Sequence, residues 1–174
     1  MTKGLIAYYS REGENYVSGS IIDLPVGNTE IAVGMISELT AMDAFKIEQK
    51  DKYSPDYTIC TEQARHDLHT NARPALARLP RDIDAYDMII LAYPNYWGTM
   101  PMAVYTFLEA FDFRGKTILP LCTHEGSGLG HSEADLKRLC PTATVRAGLA
   151  LKGGSVKSAR PQIENWLRQF KLSQ

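Results

Sequence analysis

Three segments of this sequence carry residue types that could do chemistry. The first runs from Ser10-Arg11-Glu12-Gly13 to Gly27-Asn28-Thr29-Glu30. Ser10, Asn28 and Thr29 offer side-chain hydrogen bonds, and a helical pattern from Thr29 would add free backbone N–H groups. A helix N-terminus has partial positive charge and unpaired donors, so it suits a phosphate. Asn28 or Thr29 would serve equally as a plain N-cap. The segment is neither a GxxxxGK[ST] loop nor a GxGxxG fingerprint: Gly13 lacks the following lysine and the glycine spacing differs. The second segment is Tyr93-Pro94-Asn95-Tyr96-Trp97-Gly98-Thr99-Met100-Pro101. Tyr96 and Trp97 could stack on a flat conjugated ring, and Gly98 would let backbone approach it. Packing beneath the loop is the alternative for Trp97. The third is Thr123-His124-Glu125-Gly126-Ser127-Gly128-Leu129-Gly130. Its glycines would expose backbone amides to a polar ring edge, or simply make a flexible surface loop.

Other constellations are weaker. His66 and His69 lie three apart on a helical pattern, but no third ligand accompanies them, so a solvated face is the better reading. Cys122 and His124 could pair as thiol and base, yet Cys122 reads better as a small apolar residue closing a buried strand. Asp82, Asp84 and Asp87 read as turn and solvation chemistry, and no GxSxG elbow is present. Cys60, Cys122 and Cys140 are odd in number and match no zinc or CxxC spacing. They read as thiols in a reducing compartment. Neither a metal site nor a dedicated catalytic side chain is expected.

The elements that would position these loops follow from hydrophobic period. Gly4 to Tyr9 and Met88 to Ala92 are short apolar runs, suited to strands buried on both faces. Lys116 to Cys122 reads as a third such strand, and Val145 to Leu151 as a last one. Phe45 and Ile47 alternate with Lys46 and Glu48, which suits an edge strand. Ile31, Met35, Ile36 and Leu39 form a helical stripe. Ser54-Pro55 predicts an N-cap and first-turn proline. Pro101 predicts another helix start, and Ser132 with Asp135 predicts a capping box. Ile163, Trp166, Leu167 and Phe170 give a C-terminal amphipathic helix. Strands alternating with helices argue for an open five-stranded parallel sheet with helices on both faces. In such sheets ligands bind beyond the carboxyl ends of the strands. The three chemistry-bearing loops fall there, after the first, third and fourth strands.

Composition bounds the rest. The chain has 174 residues, 44% hydrophobic and 22% charged, with net charge -1. That suits one α/β domain over residues 1–174. No basic run gives nucleic acid or a membrane surface an electrostatic footprint. The early apolar run is too short for a signal-peptide core, so a cytoplasmic location is expected.

At its three loops the chain resembles the flavodoxin family, and within it the small flavodoxin-like NAD(P)H-dependent oxidoreductases. Ala7-Tyr8-Tyr9-Ser10-Arg11, Gly27-Asn28-Thr29-Glu30, Ala92 to Pro101, and Thr123 to Gly128 carry the resemblance, in family order along nearly the whole chain. The resemblance implies a doubly wound sheet of order 2-1-3-4-5 and an FMN cofactor. Ser10, Asn28 and Thr29 would hold its phosphate, with Arg11 as a charged helper. Pro94, Asn95, Tyr96, Trp97 and Gly98 would flank the ring, and Thr123, His124, Gly126, Ser127 and Gly128 its other edge. NAD(P)H would be the co-substrate and a quinone-like or other small molecule the acceptor; a homodimer is compatible with this. An electron-transfer flavodoxin without NAD(P)H activity, or a flavin-free binding module, are the rival implications. One feature departs from the family: its compact phosphate loop is here split, with residues 11–26 as an insertion.

Overall fold

The computed structural model describes residues 3–172. In chain order the elements are β1 (Gly4–Tyr8), β2 (Gly13–Val17), β3 (Ser20–Leu24), α1 (Asn28–Thr40), β4 (Asp43–Lys46), α2 (Tyr57–His69) and β5 (Met88–Pro94). There follow α3 (Met102–Glu109), β6 (Thr117–His124), α4 (Ser132–Leu139), β7 (Thr144–Val145), β8 (Leu149–Lys152), a 3-10 segment (Gly153–Ser158) and α5 (Arg160–Arg168). The main sheet is parallel throughout, in the order β4-β1-β5-β6, with β7 and β8 both paired to β6. Taking β7 and β8 as one interrupted strand gives the expected order 2-1-3-4-5.

Successive residues of a strand point to opposite faces, and both faces here are covered. Leu5, Ala7, Ile89 and Leu91 pack with α3 residues such as Phe107 and with Leu136 of α4. Ile6, Tyr8, Ile90 and Ala92 pack with Ala32, Val33 and Ile36 of α1 and with Ile163 and Leu167 of α5. Full burial is worth about 1.5–3 kcal/mol for each large aliphatic side chain. This is why β1, β5 and β6 read as continuous apolar runs.

Four expectations need correction. Residues 11–26 are more than a loop: β2 and β3 pair antiparallel as a hairpin, register Gly13↔Leu24 to Val17↔Ser20. Its two-residue turn, Ser18-Gly19, has φ of 50° and 91°, the left-handed pair that matches strand twist in a tight hairpin. The last strand is broken at Arg146–Gly148, where Trp166 Nε1 donates to the Ala147 carbonyl and Gly148 N–H to the Glu133 carboxylate. Helix α2 begins at Tyr57, capped by Asp56, whose carboxylate accepts from Ile59 N–H; Ser54-Pro55 lies before it. Ser132 makes no capping box. Its buried hydroxyl donates to the Leu129 carbonyl and accepts from Tyr93, while Asp135 turns to Thr99, Tyr105 and His131.

The hairpin returns to α1 through Gly27, and that junction is tight. A Cβ there would meet the Ser10 hydroxyl and lie 2.6 Å from the Arg11 carbonyl oxygen. Overpacking against fixed backbone typically costs about 1–3 kcal/mol. Gly27→Ala is therefore expected to lower unfolding free energy by about that amount in urea denaturation, and a loss under about 0.5 kcal/mol would show the junction to be loose.

Candidate functional site

The first loop is built from the hairpin and the start of α1. Arg11 donates from Nε to the Glu14 carbonyl (3.0 Å) and from Nη2 to the carbonyls of Ser54 (3.0 Å) and Pro55 (3.1 Å). The Glu14 carboxylate accepts from Tyr57 N–H at 2.7 Å, filling one of the unpaired donors at the head of α2. The Tyr16 and Tyr57 rings stack with centroids 6.4 Å apart. The hairpin tip is fixed by Ser18 N–H, which donates to Glu125 Oε2 at 3.1 Å. At α1 the N-cap is Gly27, so neither Asn28 nor Thr29 is the cap, and no side chain caps from that position. Ser10 Oγ accepts from Glu30 N–H at 3.1 Å. The N–H groups of Asn28 and Thr29 remain for a ligand.

The second loop turns at Trp97-Gly98, with φ of 56° and 89°. Left-handed backbone at a bulky residue costs roughly 1–3 kcal/mol and is retained where surroundings demand it. Asn95 supplies part of that demand. Its Oδ1 accepts from Gly98 N–H (2.8 Å), its Nδ2 donates to the Gly128 carbonyl (2.9 Å), and its N–H donates to the Thr123 carbonyl (2.8 Å). One residue thus ties the second loop to the third. Trp97 does not pack under the loop: it is 48% exposed, donates from Nε1 to the Thr61 carbonyl, and carries the Arg65 guanidinium 5.6 Å from its ring centre. Tyr96 lies beneath, edge-on to Tyr9 with centroids 5.8 Å apart.

In the third loop, His124 Nδ1 accepts from Gly126 N–H at 2.9 Å, which leaves the ring's proton on Nε2. Burial, aided by nearby Lys152, pulls its pKa below the ordinary histidine value, against the opposing pull of Glu125. The imidazole is neutral at physiological pH. The Thr29 and Thr123 hydroxyls hydrogen-bond to each other at 2.7 Å in a buried position. Cys122 is also buried, its thiol aimed at two carbonyls, and burial pushes its pKa to about 12. It is a packing residue and not an activated nucleophile.

These loops enclose a cavity of about 610 Å³ at the carboxyl end of the sheet. Arg11, Asn28, Thr29, Pro94 to Gly98, Thr123, His124 and Ser127 all line it. Ser10, Gly126 and Gly128 do not: Ser10 is held at the other side of the hairpin base, facing a second cavity with Lys46 and Lys52. Asn15, Tyr16, Tyr57, Cys60, Thr61 and Glu125 join the lining, although nothing in their residue types or spacing singles them out for it. The aromatic Tyr16, paired in strand period with Ile21, is the one visible signal. His66 and His69 stand on α2, and among the described residues no three His, Cys, Asp or Glu side chains could share a metal ion. None of the described helices is long and apolar enough to cross a membrane.

Two side-chain polar atoms among the described residues are sealed from solvent: Tyr96 Oη, which lies beside the Tyr9 hydroxyl without a well-aligned bond, and Glu125 Oε1, which has no hydrogen-bond partner. Both belong to residues of this cavity wall. A buried unpaired polar atom costs roughly 1–3 kcal/mol, so Glu125 Oε1 is a costly feature behind this wall.

The flavodoxin family model matches residues 15–170. No curated protein matches the sequence. Among solved structures, a candidate flavoprotein of Bacteroides eggerthii superposes with a TM-score of 0.76 at 24% identity, covering 97% of this chain and 98% of its own. A Lactobacillus acidophilus flavoprotein in complex with FMN gives 0.66 at 18% identity, covering 91% and 98%. A Fusobacterium nucleatum flavodoxin bound to FMN gives 0.56 at 14% identity, covering 98% of each chain. At such identities the likeness is one of fold.

The His124 geometry sets a pH dependence. Its folded pKa lies below the ordinary value of about 6.5, so in the window just under about 6.5 the unfolded chain binds more protons than the folded one. Stability from this group is full above that window and is lost as pH falls through it. The urea midpoint is expected to drop between about pH 7 and about pH 5.5, with a smaller drop in His124→Gln. Equal slopes for the two proteins would remove His124 from the account.

Proposed function

This chain belongs to the flavodoxin family, and from that membership we propose that it is an FMN-dependent oxidoreductase passing electrons from NAD(P)H to a quinone-like or other small acceptor. The observation that carries the reading is one cavity at the carboxyl ends of β1, β5 and β6, lined together by the head of α1, by Trp97 and by His124.

The donor set fits the cofactor. The Asn28 and Thr29 N–H groups at the head of α1 would hold its phosphate, aided by the partial positive charge of the helix. The Arg11 guanidinium also lines the cavity, but its donors are shared with three backbone carbonyls. The indole of Trp97, held off the core by its left-handed backbone, offers a flat face to the isoalloxazine. The hydroxyl of Tyr96 stays protonated, since burial raises its pKa well above the ordinary value, and it lies sealed beneath the loop beside Tyr9. His124 keeps its proton at Nε2 and can donate to a polar ring edge without adding charge. Gly98 N–H, by contrast, is already given to Asn95.

When bound, FMN supplies a carrier that accepts two electrons from a nicotinamide and releases them to an acceptor. The chain's own part is to bind, orient and exclude water. Tyr16 and Tyr57, stacked on each other in the cavity lining, add aromatic surface against which a flat substrate could pack.

The test is a visible spectrum of the purified protein with FMN, then with NADH or NADPH without oxygen, then with a quinone. We expect a bound flavin band, its bleaching by one of the nucleotides, and its return with quinone. A protein that takes up no FMN would be a flavin-free module, and a bound flavin that neither nucleotide bleaches would mark an electron carrier. Trp97→Ala is expected to weaken FMN binding about tenfold or more, as loss of an aromatic stacking face does; unchanged affinity would place the ring elsewhere.

A further inference from the structure

Residues 13–24 form a small sheet of their own: β2 and β3 pair with each other and with no strand of the main sheet. None of residues 10–26 is buried, and none belongs to either apolar core. The hairpin therefore adds nothing to the packing that holds the sheet and its helices. An element with few buried apolar contacts opens at far less cost than global unfolding.

Its fastenings lie in two places. At the base, Arg11 is fixed to the body by the Ser54 and Pro55 carbonyls and meets the hairpin through the Glu14 carbonyl and the Asn15 amide. Gly13 beside it has φ of 82°, which glycine adopts without steric cost. Away from the base two hydrogen bonds act as latches. The Glu14 carboxylate accepts from Tyr57 N–H at 2.7 Å, and Ser18 N–H donates to Glu125 Oε2 at 3.1 Å in an exposed position. The hairpin thus reaches from the head of α1 to the loop after β6. Asn15 and Tyr16 line the same cavity as Asn28 and Thr29. A ligand seated on the head of α1 lies between the hairpin's base and its tip.

Taking only the identity of the ligand from the flavin reading above, we propose that residues 13–24 are a lid. The hairpin swings as one body about its base at Gly13 and Gly27, releasing the Tyr57 and Glu125 latches while the main sheet stays folded. The ligand enters and leaves through that opening, and Tyr16 moves out of the cavity wall with the lid. Low stability in this one element is what lets a fully packed sheet exchange its ligand.

The experiment staples the tip. A Cβ on Gly154 would lie 3.6 Å from the Ser18 Cβ, inside the range of about 3.5–4.5 Å that a disulfide spans. Gly154 is not in left-handed backbone, and Cys60, Cys122 and Cys140 are buried. Ser18→Cys with Gly154→Cys should therefore cross-link under mild oxidation. FMN association and release, followed by flavin fluorescence in stopped flow, should both be about tenfold or more slower with the cross-link closed, and should recover when a phosphine reductant opens it. Unchanged rates in the cross-linked protein would overturn the proposal. So would a pair that does not close, since the tip would then not rest on Gly154. Hydrogen exchange of the ligand-free protein gives a readout that needs no flavin. The Ser18 and Tyr57 amides should exchange about a hundredfold or more faster than the β5 amides, and the cross-link should slow both. Exchange of these two amides at the β5 rate would equally overturn the lid. A protein that binds no FMN would remove the flavin reading, and the two amides would still decide whether the hairpin opens.

Discussion

The hydroxyl of Thr29 and that of Thr123 meet at 2.7 Å where α1 begins and β6 ends. This bond, with the three made by Asn95, fixes three separate loops in one frame. Each bond is short-range, but the residues joined are 94 and 33 apart in the chain. They become neighbours only because β1, β5 and β6 run parallel side by side and end together. The sheet sets the positions of the loop ends, and the polar bonds set their orientation. Without the frame, the free N–H groups of α1, the Trp97 face and the His124 ring would be unrelated surface features.

The cavity is kept open at a cost that the rest of the fold offsets. A tryptophan in left-handed backbone and a carboxylate oxygen without a partner each lower stability by about 1–3 kcal/mol. The double-sided apolar packing of the sheet supplies the stabilisation against which these can stand. Strain and the unsatisfied oxygen are thus concentrated at one wall while the sheet is fully packed. The hairpin adds a roof made mostly of polar and aromatic contacts, with Ile21 and Ile22 left exposed. Its hold on the body depends on Arg11, Glu14, Ser18 and the stacked tyrosines.

The sheet was legible because its strands are buried on both faces, which leaves uninterrupted apolar runs at 5–8, 88–93 and 118–122. The three loops were legible because glycine and aromatic residues directly after such runs have few purely structural uses. The hairpin was not. Its strands are half-exposed and mix polar with apolar residues, so no period of two stands out between Gly13 and Leu24. The start of α2 falls two residues beyond Ser54-Pro55 because Asp56 caps Ile59 N–H, and Glu14, 43 residues earlier, fills the Tyr57 donor. Ser10 follows β1 as the resemblance requires, but its hydroxyl accepts from Glu30 N–H and it lines the second cavity, which only the folding back of the hairpin at Gly27 reveals. Glu125 looked like one polar residue in a glycine-rich loop, and only its buried, unpaired oxygen distinguishes it.

The central claim is that the turns after β1, β5 and β6 make one receptor for a phosphorylated, ring-bearing ligand. The direct measurement is an FMN titration followed by nuclear magnetic resonance of backbone and indole N–H groups. The account predicts that the Asn28 and Thr29 amides, the Trp97 indole N–H and the Ser18 amide shift together along one binding curve, with the β4 edge and α5 unmoved. Shifts confined to one loop, or centred on the second cavity beside Lys46 and Lys52, would contradict it.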